Sequence, residues 1–292
     1  MNIFISIATC GKRNDWLIGR ALLSVYEQEL INRSKVFITI VYDKLQNEKS
    51  LGIQEYKNIT NELIQELREK KSIKENEFRT YIIENERTKN NSGTGSWNTA
   101  IEFISNNFNT DNSYFAILDD DDEYKSNYLI LCLQQIKESR KQIAGIFTRI
   151  EWLVESNRII HELTINNLTQ REFFIGNPGV QGSNIFILYS IIKAIGGFDE
   201  SLPSCTDRDL MIRFLDYYND QKEKYSLIVI ESPLVVYHAH SGYRVTTDSI
   251  KKKIGLDIFY KKYKERFSEA DFKKSIERAQ KYFRYEYIRL QE

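Results

Sequence analysis

The chain reads as an α/β protein: a Rossmann-like, mostly parallel sheet flanked by helices, with a helical extension at its C-terminal end. Three observations predict this. Short runs of β-branched and aromatic residues, without polar alternation, mark strands buried on both faces. These runs alternate with helix-period segments, and repeated strand–helix–strand units build parallel sheets. From about residue 251 the pattern becomes helical and basic.

Taken in order, Ile3 to Ala8 and Val36 to Tyr42 are the first two strands. Between them Trp16, Ala21, Leu22, Val25, Tyr26 and Leu30 fall at helical spacing, with Asn14 or Asp15 as the expected cap. The unit then recurs: a helix over 59–71, a strand from Phe78 to Ile83, a helix over 95–107 and a strand from Tyr114 to Leu118. The second half is less regular. A helix near 126–139 leads to a strand from Ala144 to Trp152 and a hairpin through Arg158 to Leu163. Asn177-Pro178-Gly179 is a turn, and Asn184 to Leu188 is a strand running into a short helix that Gly196-Gly197 stops. A helix over 207–218 and two strands, Leu227 to Ile230 and Leu234 to Tyr237, complete a domain spanning residues 1–250.

Composition excludes several classes. With 292 residues, 41% of them hydrophobic and 13% aromatic, the chain can offset its ordering entropy and is not disordered. Its 41 basic and 41 acidic side chains cancel, which argues against wholesale electrostatic binding to nucleic acid. Cys10, Cys132 and Cys205 are scattered and make neither a disulfide framework nor a zinc site, which fits a reducing cytoplasm. No transmembrane segment is expected, because no apolar run approaches the ~18 residues a membrane helix needs. Residues 251–292 carry thirteen Lys or Arg against seven Asp or Glu. Within them Phe272, Ile276, Ala279, Phe283, Tyr287 and Leu290 define one apolar helical face. Such a basic amphipathic tail either docks on its own domain or meets a membrane surface, an anionic acceptor or a partner.

Ligands of a doubly wound sheet sit beyond the carboxyl ends of its strands. There Asp119-Asp120-Asp121-Asp122 follows the strand Tyr114 to Leu118 without a gap. Adjacent carboxylates at a buried strand end repel one another unless a cation neutralises them, and hard oxygen donors suit Mg²⁺ or Mn²⁺. His238 and His240, two of only three histidines, share a face if their strand continues that far. Asp207 and Asp209, taken alone, are helix-start acids with Thr206 as the cap. Asn91 to Asn98 is a glycine- and hydroxyl-rich loop opening a helix, without the lysine of a phosphate loop.

The assembled pattern resembles the family 2 glycosyltransferases, inverting enzymes of the GT-A fold that use nucleotide-sugar donors. Ile5 to Cys10, including Thr9, is similar to that family's first strand and nucleotide-facing turn, and Val41-Tyr42-Asp43 to its base-recognising segment, with Lys44 where a second acid is usual. Asn91 to Asn98 resembles the loop leading to an Arg-Asn pair, with Trp97 in place of the arginine. Leu118 to Asp122 is similar to the DxD motif. The resemblance implies Asp119 on the ribose and Asp121 on the metal, with Asp120 also on the donor side and the register among four aspartates open. Gly182-Ser183-Asn184 and Ile195 to Glu200 look like the acceptor-side strand and the GGFDE turn. Thr206 to Arg213 resembles the segment carrying the catalytic base, which implies Asp207 in that role. His238 or His240 would complete the metal site, with Ser241 to Thr247 a lid and Arg244 near the diphosphate. The implied activity is hexosyl transfer from a nucleotide sugar, in first place a UDP-sugar, using Mn²⁺ or Mg²⁺. The acceptor is open among a glycan, a lipid-linked sugar, a protein and a nucleobase, and so is attachment to a membrane periphery. Two other readings compete: a sugar-phosphate nucleotidyltransferase, for which Gly11-Lys12-Arg13 is a thin version of the expected basic loop, and a non-catalytic nucleotide-sugar-binding module.

Overall fold

The computed structural model describes residues 1–31, 34–44, 50–74, 76–87, 93–239 and 249–287. β1 (Asn2–Thr9) leads into α1 (Asn14–Trp16), a π-helical segment (Leu17–Leu22) and α2 (Leu23–Tyr26). β2 (Lys35–Tyr42), α3 (Ile53–Lys71), β3 (Phe78–Glu84), α4 (Thr94–Asn107) and β4 (Tyr114–Asp119) continue the alternation. These strands form a parallel half-sheet in the order β3-β2-β1-β4. Ile3, Phe4, Ile5 and Ile7 of β1 and Phe115 to Leu118 of β4 are fully buried between the helical layers, as continuous apolar runs require.

The sheet then becomes mixed. β5 (Glu123–Tyr124), α5 (Tyr128–Glu138), β6 (Gln142–Val154), β7 (Asn157–His161), α6 (Gln170–Ile175), β8 (Ile185–Leu188), α7 (Tyr189–Ala194), α8 (Thr206–Asp220) and β9 (Tyr225–Ala239) follow in sequence. β8 lies antiparallel to both β4 and β6, β9 runs parallel to β6, and β7 folds back on β6 as a hairpin. β9 is one strand where two were expected. Pro233 has no N–H to give to the ladder, and the register slips there, from Thr148 opposite Ile230 to Arg149 opposite Pro233, without ending the strand. α3 starts at Ile53 rather than 59, because Tyr56 turns a polar stretch inward and is fully buried. The expected caps differ too: no side chain caps α1, and Cys205 rather than Thr206 precedes α8, in the left-handed conformation with φ 63°.

Two helices end the described chain, α9 (Ser249–Tyr263) and α10 (Glu269–Phe283). Phe272, Ile276, Phe283 and Tyr287 pack against the core and Ala279 is buried. Two buried ionic residues at the start of α8 fasten them. The Arg208 guanidinium donates to the carbonyls of Phe173 (2.9 Å) and Phe174 (2.6 Å) and lies 4.0 Å from the Phe259 ring centre. The fully buried Asp209 carboxylate accepts from Arg213 (2.6 and 2.9 Å), Lys262 (2.5 Å) and Tyr263 (2.7 Å). Among the described residues no helix is long and apolar enough to cross a membrane.

The turn after α7 needs both of its glycines, for different reasons. Gly196 and Gly197 both have positive φ, 79° and 67°. A Cβ at Gly196 would meet open space, whereas one at Gly197 would overlap the Asn98 amide oxygen. Gly196→Ala should therefore cost about 1 kcal/mol of left-handed strain, and Gly197→Ala about 3 kcal/mol, strain plus steric overlap. Urea unfolding of the two variants measures the difference; equal losses would contradict the packing of Asn98 against this turn.

Candidate active site

The site lies where β1, β2 and β4 end side by side. Register pairs Ala8 with Asp119 and Thr9 with Tyr42, so the turn after β1, Asp43 and the acidic run form one lip. Asp43 donates its backbone N–H to the Thr9 carbonyl (2.7 Å), and its carboxylate accepts from the Asn85 amide (3.0 Å). Asn85 is fully buried and held in turn by the Thr99 hydroxyl (3.1 Å) and the Arg87 N–H (2.9 Å). Gly11, at φ 76°, passes so close to Tyr42 that a Cβ would sit 2.9 Å from its ring. Tyr42 stacks on Tyr56 with ring centres 4.0 Å apart and 8° between planes. A rigid aromatic wall therefore backs the turn.

The four aspartates diverge in role. Asp119 ends β4, and its backbone N–H donates to the Ser183 hydroxyl (3.2 Å). Asp122 is structural: its buried carboxylate accepts from the Ser183 hydroxyl (2.7 Å) and the His238 N–H (3.4 Å), tying β4 to β8 and β9. Burial, with the charges of Asp119 and Asp121, holds Asp122 well above the ordinary carboxylate range. Asp120 is 1% exposed, and burial pushes its carboxyl up to about 6 although the neighbouring Arg13 pulls the other way. Its Oδ1 is 3.0 Å from Arg13 Nη2, and its Oδ2 has no hydrogen-bond partner among the described residues. Asp121 is mostly buried, with 14% of its side chain exposed; it is paired with Arg13 Nη1, and its carbonyl accepts from Arg20 (2.9 Å).

Across the lip stands Asp207, in the first turn of α8. Burial raises its carboxyl to about 6, against the opposing charge of Lys252 on α9. Asp119 is raised as well, by burial first, then by Asp121, Asp120 and Asp207 in turn. Asp207 is thus within charge-repulsion range of the donor-side acids. Its position is set from below: the Ser204 hydroxyl donates to the carbonyls of Lys251 (3.2 Å) and Lys252 (3.4 Å), clamping α9 to the segment before α8.

Other expected site residues are placed differently. Asn98 uses both ends of its amide on the GGFDE turn, donating to the Phe198 carbonyl (2.9 Å) and Glu200 (2.8 Å) and accepting from the Phe198 N–H (2.8 Å). Trp97, in the place of an arginine, is buried against Phe198. Gly182 and Ser183 form a 3₁₀ turn below the acids. His238 Nε2 is 3.3 Å from Glu123. Asn91, His240, Arg244 and the segment Ser241 to Thr247 lie outside the described residues. Arg13, Asn85, Tyr56 and Lys252 join the site without having been singled out as site residues. Only Arg13 carried a signal, in the basic Gly11-Lys12-Arg13 turn.

No protein-family model matches the chain, and no curated protein does. Solved structures match along nearly its whole length. S. aureus TarS (residues 1–349) in complex with UDP-GlcNAc superposes with a TM-score of 0.61 at 13% identity, over 97% of this chain and 74% of that one. The same protein with UDP gives 0.54 at 13% identity, over 92% and 73%. The mannosyltransferase PcManGT from Pyrobaculum calidifontis, in complex with GDP-Man and Mn²⁺, gives 0.54 at 13% identity, over 95% and 69%. The chain has the GT-A fold. At this identity the likeness is one of backbone path.

On that GT-A frame the acids can be tested for a divalent cation. The orphaned buried oxygen of Asp120 and the Asp121 carboxylate beside it are hard oxygen donors, and a positive group already lies against them. The donor set fits Mg²⁺ or Mn²⁺. Among the described residues no group of three or more His, Cys, Asp or Glu side chains converges to form an all-protein cage.

Burial of these acids has a consequence for stability. The folded chain keeps a proton on Asp120 up to about pH 6, whereas the unfolded chain releases it near 3.8. The folded state binds the extra proton in that window, so stability is full below about pH 4 and falls as pH rises through 6. In metal-free buffer Asp120→Asn should remove about 2–3 kcal/mol of that fall. Urea midpoints from pH 4 to 8 measure it; an unchanged slope would mean that Asp120 is ionised throughout.

Proposed function

We propose that the protein is an inverting glycosyltransferase, moving a sugar from a nucleoside-diphosphate sugar to a hydroxyl-bearing acceptor with Asp207 as general base. The observation that carries this is the nearness of Asp207, at the start of α8, to the acids at the end of β4 on a GT-A sheet, close enough for its charge to help raise the Asp119 carboxyl. That UDP-GlcNAc, UDP and GDP-Man are bound by proteins of this fold supports a nucleotide-sugar donor.

Each described residue has a share in the work. Thr9 and Asp43, the latter oriented by Asn85, receive the nucleoside against the Tyr42–Tyr56 wall. Asp119 meets the ribose. Asp121, with Asp120, would hold Mn²⁺ or Mg²⁺, which when bound withdraws charge from the departing diphosphate. Ser183 and Asp122 keep the acidic strand end in register with β9. Asp207 takes the proton of the acceptor oxygen as that oxygen attacks the anomeric carbon, and attack opposite the departing diphosphate inverts the configuration. A base with a pKa near 6 is ionised at neutral pH yet still basic enough to accept a proton in the transition state.

Asp207→Asn should lower transfer by about 10²–10⁴-fold while leaving UDP affinity essentially unchanged. Release of UDP from a UDP-sugar, followed with and without acceptor, measures it; near-normal transfer would refute the role of Asp207. In the unsubstituted enzyme kcat/KM should rise with pH through an apparent pKa near 6 and level off above it, because the ionised carboxylate is the active form.

A further inference from the structure

Arg13 occupies the place where a cation is wanted. Its guanidinium bridges two carboxylates, with Nη2 3.0 Å from Asp120 Oδ1 and Nη1 on Asp121 Oδ2. The planar fork suits such bridging, which a point charge would not match. Arg20 closes the other side through the Asp121 carbonyl, and both guanidiniums lie over the Trp16 ring, 5.9 and 5.1 Å from its centre. The two partners differ in exposure. Asp120 is buried, while the Arg13 side chain is 33% exposed and follows the Gly11 turn after β1. The bridge is also incomplete, since Asp120 Oδ2 has no hydrogen-bond partner among the described residues. A bridge built only for stability would leave no buried carboxylate oxygen unsatisfied.

We propose that Arg13 is the resting counter-cation of the Asp120–Asp121 pair, that it gives way when a divalent cation enters with the donor, and that its freed guanidinium then binds the donor's diphosphate. The inference rests on the nucleotide-sugar reading above and deepens it: the same residue guards the acids when the site is empty and recognises the phosphates when it is full. No covalent bond changes. One positive charge leaves the carboxylates, two arrive, and the displaced charge meets the incoming anion. The ligand-free acids are never left without a cation, and Mn²⁺ and the diphosphate bind best together, because each removes what hinders the other.

The test is Mn²⁺ binding to the full chain, followed by electron paramagnetic resonance of the free ion, with and without UDP. Arg13→Gln keeps the size and loses the charge. Without UDP it should bind Mn²⁺ about tenfold more tightly than the unsubstituted protein, because the competing cation is gone. With Mn²⁺ saturating, its affinity for UDP should fall about tenfold, because a phosphate partner is gone. Arg13→Lys, which keeps a charge that cannot bridge both acids, should lie between the two in both measurements. Should Arg13→Gln fold poorly, Arg13→Lys alone decides: tighter Mn²⁺ binding supports the exchange and unchanged binding contradicts it. Unchanged or weaker Mn²⁺ binding by Arg13→Gln overturns the proposal. If the unsubstituted protein binds no Mn²⁺ even with UDP present, the glycosyltransferase reading itself fails, a result distinct from failure of the exchange.

Discussion

Four consecutive carboxylates at the end of a buried strand are the constraint around which the rest of the structure is arranged. At about 4 Å separation each like-charge pair costs on the order of 4 kcal/mol in a partly screened environment. The protein manages this by giving each acid a different fate. Asp122 is pinned by Ser183 and the His238 N–H, Asp120 and Asp121 are neutralised by Arg13, and Asp119 is left at the strand end with its carboxyl raised. Such an arrangement concentrates negative charge at one strand end, where on the proposed reading an incoming divalent cation would relieve it.

The opposite wall of the cleft is held by the chain's last two helices. Arg208 and Asp209 flank or follow Asp207 in sequence but point away into buried contacts with α6, α9 and α10. The result is a short segment in which the residues around Asp207 are locked from behind while Asp207 faces the acids. Arg213 extends the lock to the carbonyls of Ile195 and Gly197, tying the GGFDE turn to α8. This also accounts for the basic character of α9: Lys262 completes the Asp209 cluster and Lys252 offsets the charge of Asp207.

Much of the fold was legible because it is written locally. The parallel strands β1, β2 and β4 are unbroken apolar runs, and the runs end where the ligand edge begins. β9 was misjudged because Pro233 looks like a stop and acts as an irregularity inside a strand held by β6. The start of α3 was missed because Tyr56 alone marks its buried face amid polar residues. In the site, the acidic run stood out as charges at a strand end, whereas Asp207 read as an ordinary helix-start acid until the family resemblance singled it out. The partners that give them meaning did not stand out, because they come from far along the chain. Arg13 meets Asp121 across 108 positions, and Asn85 reaches Asp43 across 42, from between two glutamates that hide it. Asn98 illustrates the reverse: its place in a helix-opening loop suggested a ligand, and the structure spends its amide on the turn at Phe198.

The most direct measurement is calorimetric titration of UDP into the protein, once in Mn²⁺ and once in metal-stripped buffer. Cooperation between the acids and the diphosphate predicts that Mn²⁺ strengthens UDP binding at least about tenfold, a coupling of roughly 1.4 kcal/mol. UDP affinity that is the same in both buffers would contradict it, since the carboxylates would then take no part in holding a metal-bound nucleotide.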